Sequence, residues 1–505
     1  GYDSIDIVVV PEELNSTAVN GIASGGSISS IDNTVDCRCA ALNKQHTAHS
    51  ADTVLDIMID NGDLGNVGLA AAGIKLPDAE TTTAAGTVVK WCSWYDNLQN
   101  YDEDEIVNTG YFTFKENYGC EIKWVEIDYF SRYDELANLI LGGTPPDCFP
   151  AGTSSSATFP MACIKGTFQP VDEWIDYNDP LWQDMAQAGE FFALGDVHFG
   201  IVTDVTFRHV IPYNRRVMDE WGFDDPAELY ANDEWTWDVF YEMCAEFSDP
   251  DEERFALDGY GWHDAFLQQA SGEKLIKMDE NGNYYSNLDS PILEIANNLI
   301  YELSKNSCTY YSVHKANNRS DITGDGVKTG LTLFYIVEAS EFTGPVDEIS
   351  AVWGDIENNE LMFVPLPRYE NGDGKYYLTS IPTGYMIVSG AENPEGVALL
   401  ASCERFKIVD PTVVDIDRQQ LKETYLWTDE MLAMYDTCYE IAKSNVQMYY
   451  NGNLTSELDS TYGKLRDGGK LNQSTWAQLK ENYRETFDYY LEEQNALIDE
   501  YIEGR

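Results

Sequence analysis

The sequence predicts an α/β protein of more than one domain, and three observations carry that expectation. Between residues 87 and 149, short β-rich runs alternate with helical ones, the pattern of a parallel sheet covered by helices. After a helical middle, strand character returns at Leu331–Val337 and beyond, and from Pro394 onward the chain reads as helix. At 505 residues the chain exceeds one compact core and corresponds to about two to four domains.

Residues 1–86 form an extension of no assignable fold. One apolar run, Ile5–Val10, reads as a strand and Val54–Ile59 as a short helix or strand, among Ser-, Gly-, Ala- and Thr-rich segments. Thr87–Trp91 is the first β-rich run of the α/β pattern. Tyr111–Tyr118 reads as the end of a helix, and Glu121–Ile127 alternates apolar and polar as a strand does. Tyr133–Leu141 is helical and stops at Gly142-Gly143; Pro145-Pro146-Asp147-Cys148-Phe149 opens a third strand. Ligands of such sheets collect at the carboxyl ends of the strands. Those ends carry Trp94-Tyr95-Asp96, Tyr129-Phe130 and Ala151 to Ser154.

Further on, Trp235–Phe247 places Val239, Phe240, Met243 and Phe247 on one helix face. Asp289-Ser290-Pro291 supplies a cap and a first-turn proline to a helix over Pro291–Leu303. Strands are expected at Leu361–Pro365, Lys375–Thr379 and Gly384–Val388, and a long helix over Ser474–Glu503.

Composition narrows the function. Against 31 Lys and Arg stand 87 Asp and Glu, a formal charge of −56, so nucleic acid is excluded as a partner and anionic surfaces are disfavoured. A neutral ligand is indifferent to that field. The 32 Tyr, 12 Trp and 20 Phe serve packing first, yet flat rings are also what sugar faces stack on. Ten cysteines in this length make no disulfide scaffold; Cys148 and Cys163 flank a short loop and could pair, but scattered buried thiols are the expectation. No run of about 18 to 20 apolar residues spans a bilayer, and no signal segment stands at the start; one carrying a lipid-bearing cysteine is expected upstream.

Catalytic signatures are missing: there is no G-x-S-x-G, P-loop, H-E-x-x-H or G-x-G-x-x-G. Asp321, Asp325 and Gly326 match part of a calcium loop, but Thr323 and Thr332 occupy ligand positions, so a turn is expected and no cofactor. A glycosidase needs two carboxyls about 5 to 10 Å apart. Among 87 acidic residues such pairs are unavoidable, which leaves a secreted carbohydrate hydrolase as the alternative to a binding protein. A purely adhesive role would draw on residues 1–86.

Several segments, in order, resemble the extracellular solute-binding proteins of bacterial ABC sugar importers, the maltose-binding-protein-like group. They are Thr87–Trp91 running into Trp94-Tyr95-Asp96, Tyr133–Leu141 with its Gly-Gly stop and Pro146-Asp147, and Phe199-Gly200-Ile201 through Ile211–Arg215. Trp235-Thr236-Trp237-Asp238 with Tyr260-Gly261-Trp262, Phe363–Pro367, and Gly384 with Asn393-Pro394-Glu395 complete the series. The family's Gly-Lys-Ala-Ala-Met stretch is replaced by Gly326–Gly330.

The resemblance implies a two-lobed periplasmic-binding-protein-like fold with a hinge and a central cleft. Lobe one would comprise 87–205 and 338–407, and lobe two 206–337 and 408–505. It implies an extracellular lipoprotein, monomeric and non-enzymatic, that passes a neutral oligosaccharide to the membrane subunits of an ABC transporter. Trp94, Tyr95 and Asp96 fall on the first ligand loop, and Trp262 and His263 are the lobe-two candidates. Trp353, Tyr385 and Trp427 are weaker ones, with Trp427 expected to pack between helices; Trp235 and Trp237 read as core.

Overall fold

The computed structural model describes residues 73–94, 109–151, 159–259, 267–279, 283–314, 326–448 and 455–504. The expectations for Ile5–Val10 and Val54–Ile59 lie outside these residues, as does nearly all of the 1–86 extension.

In chain order the first α/β unit runs β1 (Val88–Ser93), α1 (Thr109–Tyr118), β2 (Glu121–Glu126), α2 (Arg132–Leu141), β3 (Cys148–Ala151) and β4 (Gly200–Phe207). The second runs β5 (Ile211–Asn214), α3 (Trp237–Phe247), β6 (Phe255–Gly259), the hairpin β7 (Ile276–Met278) and β8 (Tyr284–Ser286), and α4 (Pro291–Lys305). Then follow β9 (Thr332–Ile336), β10 (Leu361–Val364), β11 (Thr379–Ile387), α5 (Pro394–Val409), α6 (Pro411–Tyr425) and α7 (Asp429–Ser444). The chain ends with β12 (Gln447–Met448), α8 (Ser456–Lys470) and α9 (Trp476–Glu503).

Local chemistry starts the helices where the sequence signals them. Ser290 accepts the amide of Leu293 ahead of Pro291, and Thr475 and Gln478 form a reciprocal capping box at the head of α9. Phe240, Met243, Cys244 and Phe247 make the buried face of α3. Before and at its start, the indoles of Trp235 and Trp237 donate to the carbonyls of Pro365 and Pro367, both at 2.8 Å, so both tryptophans are core as expected.

Two sheets organise two cores. In the first, β1 runs parallel to β2 from Val88↔Glu121 to Ser93↔Glu126 and parallel to β3 at Trp91↔Cys148. Strand β11 returns antiparallel against both β3 and β4 and also pairs with β12. Gly384 sits at φ 148, where an added Cβ would lie 1.8 Å from the carbonyl oxygen of Ile201; only glycine allows the bulged approach of β11 to β4. In the second sheet β6 and β9 are parallel, β5 and β10 antiparallel, and a Val210↔Val337 bridge joins the two pairs.

The first core takes its buried residues mainly from 84–205 and 385–403, the second from 207–378 and 425–442. The chain therefore changes core at 205–207, 378–385, 403–425 and 442–446, a set of crossings that makes a hinge. A third core, built from 275–293 and 458–491, packs the β7–β8 hairpin against α4, α8 and α9.

Several boundaries differ from expectation. Residues 338–378, expected in lobe one, bury Phe342, Trp353, Phe363 and Tyr376 in the second core, because β10 pairs with β5 and not with the first sheet. The C-terminal helices form the third core instead of extending lobe two. Residues 73–86, expected with the extension, pack on the first core through Ala84, Ile74 and Leu76. Lys375–Thr379 is not a separate strand: Tyr376 and Leu378 anchor the connection in the second core and pairing begins only at Thr379. Cys148 and Cys163 do not pair; all the described cysteines are free and buried.

Candidate functional site

Two features stand out, one at the end of the first sheet and one beside the chain crossings at 205–207 and 403–425. At the carboxyl edge of that sheet, the Trp124 indole donates to Ser93 O (3.1 Å) and fixes the end of β1. Beyond it, Trp94 meets Tyr129 edge-on at 5.4 Å and Phe149 at 6.3 Å, while Tyr133 packs against Phe149 at 5.9 Å. Asp128 accepts the amides of Phe130 and Ser131 and so shapes the turn from β2 into α2. That turn leaves the Phe130 ring 69% exposed beside Tyr129. Arg132 opens α2 with its guanidinium 4.1 Å from the Tyr129 ring centre, 4.7 Å from Tyr133 and 5.3 Å from Trp94.

The second feature is a pocket at the hinge, about 950 Å³ with its solvent-open part included, between the end of β4, the chain after β9, and helices α6 and α7. Phe207, Trp427 and Tyr435 form its rings, Tyr435 standing 5.1 Å from Phe207 and 5.7 Å from Trp427. Two ion pairs stand among its polar groups: Arg208 Nε lies 3.3 Å from Glu338, and Arg418 lies 2.7 Å from Asp436. Burial pushes the Glu338 carboxyl up, against the pull of Arg208, so this pair is held at the crossing by mutual need. Rings flanked by hydrogen-bonding groups are the chemistry that a polyhydroxylated solute calls for.

The sequence-predicted residues scatter over these features. Trp94 stands at the sheet edge. Trp427 lines the hinge pocket, with its indole nitrogen donating to Phe342 O at 2.9 Å, so it also packs between helices. Trp353 is only 2% exposed, edge-on to Tyr335 and Phe342 in the second core. Tyr385 is buried in the first core against Trp91, and its hydroxyl donates to Glu404. Tyr95, Asp96, Trp262 and His263 lie outside the described residues, as do Asp321 and Asp325 of the expected turn. Sequence reading missed Arg132, Phe207, Arg208, Glu338 and Tyr435. Tyr129 and Phe130, at a predicted strand end, were the sequence signal nearest to Arg132.

Among the described residues no group of three or more His, Cys, Asp and Glu could hold a metal ion, and no helix is long and apolar enough to cross a membrane.

Two α/β cores, several chain crossings and a pocket at those crossings define a two-lobed hinge-binding protein. The sequence matches the bacterial extracellular solute-binding protein family over residues 95–402, and the chain belongs to that family. Solved structures share the fold. The sugar-binding protein MalE from the phytopathogen Xanthomonas citri is 13% identical, with a TM-score of 0.59 over 82% of this chain and 99% of that one. The galacto-N-biose-/lacto-N-biose I-binding protein of a Bifidobacterium longum ABC transporter is 13% identical, with a TM-score of 0.56 over 82% and 98%. A cyclo/maltodextrin-binding protein complexed with maltotetraose is 15% identical, with a TM-score of 0.53 over 84% and 98%. No curated protein matches the sequence.

Proposed function

We propose that the chain captures a neutral oligosaccharide between its two lobes outside the cell and presents it to the membrane subunits of an ABC transporter, without chemistry on the sugar. The observation that carries this reading is the placement of rings and hydrogen-bonding groups at the hinge pocket and at the carboxyl edge of the first sheet. Phe207, Trp427 and Tyr435 stand with Arg208, Glu338, Arg418 and Asp436 at the first, and Trp94, Tyr129 and Phe130 at the second. Sugar rings offer weakly apolar faces and many hydroxyls, and both halves of that chemistry are met here. The surrounding charge of −56 favours an uncharged solute over an acidic one. Lobe closure would expel water and create the form a transporter reads.

A panel of maltose, maltotetraose, lacto-N-biose, cycloalternan and acarbose tests this, the sugars being those named with the related structures. A saccharide at 100 times its dissociation constant adds about 2.7 kcal/mol of stability, visible as a raised melting temperature. Stabilisation with the saccharide recovered intact is the expected result. Hydrolysis products would make the chain an enzyme, and no response to any saccharide would remove the reading.

A further inference from the structure

Among the described residues, the buried arginines are held with carboxylates, with one exception. Arg208 lies 3.3 Å from Glu338, Arg368 lies 2.9 Å from Asp233, and Arg405 is paired with Asp184. Arg132 is as enclosed as Arg368, at 8% exposure, yet no described carboxylate lies within ion-pair distance of its guanidinium. Its Nη1 donates to Tyr129 O, its Nε is enclosed without a partner, and Nη2 donates to no described protein group. Carboxylates are not scarce, since 87 Asp and Glu face 31 Lys and Arg. The ring faces of Tyr129, Tyr133 and Trp94 take up part of the charge, but rings accept no conventional hydrogen bond, and donors remain over. A buried cation with spare donors is costly unless something completes it.

Its location says what that is. Arg132 stands at the carboxyl edge of a parallel sheet, where such folds gather their ligands, beside the 69% exposed ring of Phe130. An anion is disfavoured there, because Asp128 in the turn before α2 and Asp134 and Glu135 in its first turn add negative charge nearby in the chain. An uncharged sugar has the acceptors without the repulsion.

We propose that Arg132 is a specificity-determining contact of the sugar site, donating to hydroxyl or ring oxygens of a sugar ring stacked on the exposed face of Phe130. This rests on the sugar-capture reading above.

Calorimetry on the full chain, with the panel saccharide that the wild type binds most tightly and its monodeoxy analogues, tests the assignment. Arg132→Gln should weaken binding about tenfold or more, the scale of a lost hydrogen bond to a charged group. The deoxy analogue lacking the contacted hydroxyl should bind wild type weakly, yet lose nothing further in Arg132→Gln. Phe130→Ala removes an exposed ring, so it should leave the ligand-free melting temperature unchanged while weakening binding. If Arg132→Gln discriminates the deoxy series as wild type does, or Phe130→Ala binds as wild type does, the arginine is packing and the assignment fails alone. A wild type that binds no saccharide removes the capture reading and the assignment together.

Discussion

Glu404 accepts a hydrogen bond from the Tyr385 hydroxyl on the inner side of α5, where the start of α1 closes over it. The closure is tight: a Cβ on Gly110 would lie 2.8 Å from Glu404 Cα, so only glycine lets the two helices approach. Burial pushes the carboxyl from 4.5 up to about 7, with the Tyr385 hydroxyl and Lys407 pulling the other way. Below pH 4.5 the group is protonated in both folded and unfolded chains and costs nothing. As pH rises toward 7 the unfolded chain ionises first, so stability falls across that window and the loss is complete above it. Glu404→Gln should remove this component. The gap in urea midpoint between variant and wild type should therefore widen in the variant's favour from pH 4.5 to 7.5; a gap independent of pH would show that the carboxyl titrates normally.

Among the elements, α9 is the one whose role the sequence signalled least. Its length was legible, because Ser474–Glu503 reads as one long amphipathic helix. What it joins was not. Trp476, Leu479, Phe487 and Leu491 belong to the third core, whereas Ile498 belongs to the first, with the fully buried Gln494 between them reaching Met161. Ile498→Ala should cost about 2 to 4 kcal/mol in urea unfolding if that end of the helix is docked as described, and almost nothing if it frays. The same limit explains the other misreadings. Periodicity finds β10, but nothing in Leu361–Val364 says that its partner is β5 in the second core. Nor does a tryptophan beside a glycine reveal whether it faces a ligand. Trp353, beside Gly354, is placed in the second core only by the packing of Tyr335 and Phe342 around it. Arg132 escaped notice because its meaning lies in a missing partner, which is a property of space and not of spacing.

At the scale of the whole molecule, the charge of −56 bears on how the hinge works. Closing two acidic lobes brings like charges together, and the work this takes depends on screening. The Debye length is about 30 Å at 0.01 M salt and about 8 Å at 0.15 M, so the repulsion reaches across a cleft in the first case and hardly does in the second. A neutral sugar contributes no net Coulomb term of its own, and its hydrogen bonds form in a closed, desolvated space that salt does not enter. Affinity should therefore rise modestly with ionic strength through the lobes alone. An acidic solute would add its own repulsion from the protein and show a steeper rise, whereas a cationic one would be drawn in by the field and lose affinity as salt is added. Titration calorimetry at about 0.01, 0.05 and 0.15 M sodium chloride separates these cases, since the two low salt points lie where the Debye length changes most. A dissociation constant that climbs with salt would mean that the cleft was built for a positive charge, and the neutral-sugar reading would fall.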